Sequence, residues 1–120
     1  MVEALRAAEI QAAVAENNNV TLDVVVHESI DSTNSWSMTQ SKQGRALPFA
    51  CFAEQQEQGR GRRGKQWLMK PRSNIAMSFS WPFVSTESLS LLPLSVAVAI
   101  TQVLEDIGLQ QVQIKWPNDV

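Results

Sequence analysis

Between Glu57 and Trp67 the chain reads EQGRGRRGKQW, three glycines and four cations within a molecule whose formal net charge is -2. Glycine lets a backbone approach a ligand with no Cβ in the way, and arginine forks onto carboxylate or phosphate oxygens. The stretch therefore suggests an anion cradle, with the N–H groups of Gly59, Gly61 and Gly64 and the guanidiniums of Arg60 and Arg62 turned toward an acidic ligand. A flexible, solvated basic loop explains the same residues about as well. The spacing is neither that of a P-loop nor that of a dinucleotide fingerprint.

Two further sets of residues could join that chemistry. In KWPND, Lys115 would neutralise a phosphate and Asp119 would hold a Mg²⁺ ion bridging phosphates, with Asn118 beside them; taken alone, a Pro-Asn-Asp turn after an edge strand is the better account. Ser32, Thr33 and Asn34 would hydrogen-bond a polar head group or simply cap a helix, the commoner use of such residues. Gln56 both donates and accepts at the entrance to the basic loop, though it also suits a solvated strand end. Trp67 would stack on a base or wall off an apolar ligand, although a tryptophan beside a loop usually packs. His27, the lone histidine, reads as structural or solvent-facing. No Ser-His-Asp set and no metal-ligand spacing can be assembled.

The elements that must position these residues follow from pattern. Residues 3–15 are rich in Ala, Leu and Glu and predict a helix ended by ENNN. Leu22 to Val26 is a short β-branched strand, and Asp31, Ser32 and Thr33 are N-cap candidates for a helix reaching about Ser41. Backbone N–H groups at that junction favour an anion. Phe49 to Glu54 predicts a buried strand feeding the basic loop. In NIAMSFSW, Ile75, Met77, Phe79 and Trp81 alternate with small residues, which predicts a strand with a bulky core face. Leu92, Val96, Ala99, Val103 and Ile107 recur at helical spacing over Leu89 to Ile107, with Pro93 tolerable in the first turn and Gly108 as the stop. VQIKW alternates again and predicts a last strand. These elements imply an α/β (α+β) fold, a mixed sheet flanked by helices, with about four strands and three helices. The chain reads as one domain, an N-terminal helix and turn over 1–21 leading into 22–120. Its pattern stops after a strand and turn, as expected for part of a larger domain.

Composition bounds the partners. Hydrophobic residues make up 44% of 120 residues, enough to bury a core, and a pI of about 5.3 argues against general binding to nucleic acid or anionic membrane. Six of the ten Lys and Arg residues nevertheless fall between Arg60 and Arg72. Cys51 has no partner for a disulfide and reads as a small buried hydrophobe. The N-terminus lacks a secretory pattern, and the apolar run LLPLSVAVAI is too short to span a bilayer, so a cytoplasmic protein is expected.

Each motif is weak alone, but IDSTN, AEQQEQGRGRRGKQW, NIAMSFSW and KWPND, in this order, resemble the catalytic domain of biotin protein ligases, over about Val24 to Val120. That resemblance implies a class II aminoacyl-tRNA synthetase-like fold and a two-step reaction. Biotin and MgATP give biotinyl-5'-AMP and pyrophosphate, and the acyl group then passes to a lysine of a biotin carboxyl carrier protein, such as an acetyl-CoA carboxylase subunit. It places Ser32, Thr33, Asn34, Gln56, Gly59, Arg60, Gly61 and Arg62 against biotin. Arg62, Arg63, Trp67, Lys115 and Asn118 would serve the nucleotide, Asp119 the Mg²⁺ ion, and Arg60, Arg62 and Lys115 the reacting anions. The loop is expected to order over its ligand.

The chain departs from the family pattern in several places. KPRS stands where the family has a Ser-Pro-x-Gly turn. The family's later lysine segment, its C-terminal β-barrel and the helix-turn-helix of its repressor members are not in these 120 residues. Weak or no turnover by the chain alone, no DNA binding, and self-association through open strand edges, to a homodimer for example, are therefore expected. A lipoate-ligase-like acyl-adenylate enzyme and a basic-loop nucleic-acid module are the alternatives.

Overall fold

The computed structural model describes residues 2–87 and 89–120, which divide into two compact units, one up to Pro82 and one over Phe83–Val120.

The first unit is a three-stranded mixed sheet with a helix on each face. Strand β1 (Asp23–His27) runs parallel to β2 (Phe49–Ala53), and β2 runs antiparallel to β3 (Ala76–Ser80), in the order β1-β2-β3. Strand register sorts the side chains. Val24, Ala50 and Phe79 stand in one row, and Val26, Phe52 and Met77 in the next. This face receives helix α1 (Ala7–Asn18), whose Ile10 and Val14 pack on Leu22, Val24, Ala50 and Phe52.

The opposite face carries Phe49 and Cys51, both fully buried, and helix α2 (Thr33–Lys42) packs on β2 and β3. Burying a phenylalanine contributes about 1.5–3 kcal/mol. On this side Arg45 lies over the rings of Trp36 and Phe49, with its guanidinium bonded to Asp23 at 2.7 Å and Gln40 at 2.9 Å. The half-buried His27 meets Trp36 edge-on at 5.1 Å, a packing role like the structural one its sequence position suggested.

Several expectations are corrected in detail. The first helix runs over Ala7–Asn18 rather than residues 3–15: it starts after Arg6, and it continues through most of ENNN, where the Asn17 and Asn18 side chains donate back to the Ala13 and Val14 carbonyls. It ends on Asn19 at φ 50, a conformation asparagine tolerates. The bulky side of β3 is not a core face: Ile75 is 73% exposed, and Met77 and Phe79 are also open. A helix about 10 Å wide spans two strands spaced about 4.8 Å apart, so α1 covers β1 and β2 and leaves β3 as one wall of an apolar groove of about 400 Å³.

In the second unit a 3₁₀ turn (Leu89–Leu91) leads into helix α3 (Leu92–Asp106), with Pro93 in its first turn and Gly108 at φ 99 just beyond its end, as the pattern predicts. The helical span Leu89–Asp106, 18 residues at mean hydropathy 1.4, is long and apolar enough to cross a membrane by length and composition only. Counting only the uninterrupted LLPLSVAVAI run understated that length. The predicted VQIKW strand does not form; Lys115 instead bridges to Asp119 around a tight turn. Alternation supplies a face, but a strand also needs a neighbour to satisfy its backbone groups.

Candidate functional site

The start of α2, the segment that follows β2 and residues of β3 converge on one cavity of about 370 Å³. Ser32 caps the helix: its hydroxyl accepts from the Ser35 N–H at 3.3 Å, while its own N–H donates to the Asp31 carboxylate at 2.7 Å. Capping and a role in the site therefore coexist, because the cap fixes where Thr33 and Asn34 stand. The Thr33 N–H donates to Gln56 Oε1 at 2.9 Å, its hydroxyl reaches the same oxygen at 3.2 Å, and Ser78 Oγ lies 2.8 Å from the Thr33 hydroxyl. The Gln56 Nε2 end points toward Met69 Sδ, at 4.0 Å.

The glycine-arginine stretch is neither a tether nor an open nest; it is a small hairpin. Trp67 N–H donates to Gly59 O at 2.8 Å and Gly61 N–H to Lys65 O at 2.6 Å, with Arg60 bridged to Gln66. Arg62–Gly64 make the turn, where Arg63 at φ 59 and Gly64 at φ 71 take left-handed backbone. Gly61 therefore spends its N–H inside the loop and is not the open anion donor that the sequence suggested. Gly59 is the glycine that close approach requires. A Cβ there would meet Trp67 O at 3.0 Å and Gln56 Nε2 at 3.1 Å.

Ser32, Thr33, Asn34, Gln56, Arg60 and Trp67 all line this cavity. Trp67 is 59% exposed, so its ring is an open wall rather than core packing. Arg60 donates through Nη2 to Ser35 Oγ at 2.6 Å. Arg62 and Arg63 are exposed on the hairpin turn. Lys115, Asn118 and Asp119 belong to the second unit, where Lys115 and Asp119 exchange both backbone hydrogen bonds, at 2.8 and 3.0 Å. That register sets a cation opposite a carboxylate, both exposed. Cys51 is buried beneath α2, and the loss of hydration pushes its thiol up to about 11, so it is no nucleophile at neutral pH.

Sequence reasoning missed Ser35, Ser78 and Asn74. Ser78 sits on the small side of β3, which the alternation marked only as the face opposite the bulky residues. Asn74 Oδ1 accepts the Lys70 N–H at 3.2 Å and closes the KPRS turn, with Arg72 at φ 56. That turn thus takes a left-handed residue without the glycine of the pattern it replaces.

Residues 26–120 match the model of the Biotin/lipoate A/B protein ligase family. The chain is 34% identical over 115 residues to the bifunctional ligase/repressor BirA of Salmonella typhimurium, covering 92% of this chain and 36% of that protein. It is also 34% identical over 98 residues to the BirA of Escherichia coli, covering 81% and 30%. The chain therefore spans about a third of the length of the curated relatives it matches. A crystal structure of biotin acetyl coenzyme A carboxylase synthetase from Helicobacter pylori with bound biotinylated ATP superposes with a TM-score of 0.68 at 23% identity, over 78% of this chain and 46% of that one. The shared fold is the α+β arrangement with a mixed sheet expected from the sequence.

Proposed function

This chain belongs to the Biotin/lipoate A/B protein ligase family, and on that premise we propose that its first unit holds biotin, with the ureido head against Gln56 and the carboxylate toward Arg60. Hydrogen-bond direction carries the reading. A backbone N–H can only donate, so the Gln56 atom 2.9 Å from Thr33 N is the amide oxygen. The Thr33 hydroxyl spends its single proton on that same oxygen, which leaves Ser78 as donor across their 2.8 Å contact. What remains for a ligand is the Gln56 NH₂, engaged otherwise only by the long 4.0 Å contact to Met69 Sδ, and the lone pairs of Ser78. A cyclic urea is the complement, a carbonyl acceptor flanked by N–H donors. A dithiolane ring offers neither and would leave polar groups unsatisfied, at about 1–3 kcal/mol each.

In the reaction proposed, a biotin carboxylate oxygen attacks the α-phosphorus of ATP and pyrophosphate leaves. A lysine amine of a biotin carboxyl carrier protein then attacks the acyl carbon of biotinyl-5'-AMP and releases AMP. The first step presses two anions together, and cations aimed at them offset the repulsion; losing one such donor typically costs about 100-fold or more in rate. Arg60, Arg62 and Lys115 are assigned to these anions, and Arg63, Trp67 and Asn118 to the nucleotide. Asp119 would share a Mg²⁺ ion with phosphate oxygens and water. A Mg²⁺ ion is commonly held by one or two carboxylates together with its substrate phosphates. Acyl recognition is proposed for the residues of the first unit, the whole two-step reaction for a ligase of this family that contains them, and the cytoplasm as its place.

Titrating biotin, then lipoate, into the folded chain tests the assignment. Saturable heat from biotin and none from lipoate is expected. Preference for lipoate, or binding of neither, overturns it.

A further inference from the structure

An exposed arginine spreads over many rotamers in water, and a ligand that must freeze it loses affinity in doing so. Arg60 is exposed beside the cavity, yet both ends of it are held. Its backbone is bridged to Gln66 in the hairpin, and its Nη2 donates to Ser35 Oγ at 2.6 Å across 25 residues of sequence. Ser35 is itself fixed in the first turn of α2. Its N–H donates to the Ser32 cap and its carbonyl accepts the Thr39 hydroxyl at 3.0 Å. Helix capping does not use the Ser35 hydroxyl, since Ser32 supplies the cap oxygen. One of the five guanidinium N–H groups is spent on Ser35, and the rigid plane of the group then fixes the directions of the other four.

We propose that Ser35 is a positioning residue for Arg60, its hydroxyl holding the guanidinium in place before a carboxylate arrives. The inference rests on the reading above that Arg60 meets the carboxylate of biotin. It requires Ser35 to matter for the charged end of the ligand and not for the ring head.

The test compares wild type with Ser35→Ala and Ser35→Thr. Biotin and biotinol, the neutral alcohol with the same head, are titrated into each, and the ¹⁵N guanidinium signals of Arg60 are recorded without ligand. Ser35→Ala is expected to weaken biotin about three- to tenfold, as when binding must immobilise a long side chain. It should leave biotinol unchanged and average the Arg60 signals, and Ser35→Thr should restore both. In an Arg60→Met background Ser35→Ala should change nothing. Unchanged biotin affinity in Ser35→Ala, or equal loss of biotin and biotinol, overturns the proposal. Arg60 signals that respond to Ser35→Ala while Arg60→Met leaves biotin affinity intact show instead that the carboxylate reading has failed, and the proposal falls with it.

Discussion

Gly59 lies directly beneath the Gln56 amide: a methyl group on it would stand 3.1 Å from Gln56 Nε2 and 3.0 Å from the carbonyl oxygen of Trp67. Trp67 cannot easily give way, because its N–H is bonded to Gly59 O at 2.8 Å. The strain of Gly59→Ala therefore falls on Gln56, and overpacking of this kind costs about 1–3 kcal/mol. Biotin titration should show an affinity loss of about tenfold or more. Gly44→Ala is the control: no atom lies within 4 Å of its added Cβ, but its φ of +81 is strained for alanine. Urea denaturation should show a loss of about 1 kcal/mol or somewhat more there, with biotin affinity unchanged.

Thr33, Gln56 and Ser78 form a chain of donors in which each bond sets the direction of the next. Thr33→Val frees the Ser78 proton and half-satisfies Gln56, so both Thr33→Val and Ser78→Ala should weaken biotin. Because they share a contact, the double variant should lose less than the two single losses added together, with a coupling of about 0.5–3 kcal/mol. Strict additivity would show that Ser78 does not orient Thr33.

The Cys51 thiol, held up to about 11 by burial from an ordinary 9.0, ionises more readily in the unfolded chain. Unfolding therefore releases a proton between about pH 9 and pH 11, and stability contributed by this group is intact below pH 9 and falls as pH rises through that window. Denaturation midpoints should decline more steeply over this range in wild type than in Cys51→Ala. At pH 8 a thiol-alkylating reagent should label Cys51 only as fast as the chain opens.

The hairpin from Gly59 to Trp67 is held at its stem by main-chain bonds, while Arg62, Arg63 and Lys65 stand exposed around its turn. We predict that biotin with MgATP draws this turn over the ligand. Trypsin should cut after these residues more slowly in the presence of both ligands than in their absence, and equal rates would remove the idea of closure.

Much of the local framework was legible. Ser32 is the middle one of the three N-cap candidates Asp31, Ser32 and Thr33, so the start of α2 was readable to within one residue. FACFA is uniformly apolar and is buried at every position, because β2 is the central strand with a helix over each face. The family was legible as well, since four motifs in a fixed order carry more information than any one of them. VQIKW was misread because its alternation matches a strand whether or not a partner exists. The bulky residues of β3 were misread because their pattern cannot say how far across the sheet α1 extends.

By itself the sequence determined the order and approximate positions of the helices and strands of the first unit, the concentration of cations between Arg60 and Arg72, and membership of a ligase family, all of which depend on residue type and short-range order. Tertiary structure alone decided that Gln56 turns its oxygen to Thr33 and its NH₂ away, that Gly61 spends its N–H within the hairpin, and that Arg60 rests on Ser35. The reason is physical. A hydrogen bond is a matter of distance and direction between groups brought together by folding, and here the partners are 23, 4 and 25 residues apart, separations at which sequence pattern carries no direction.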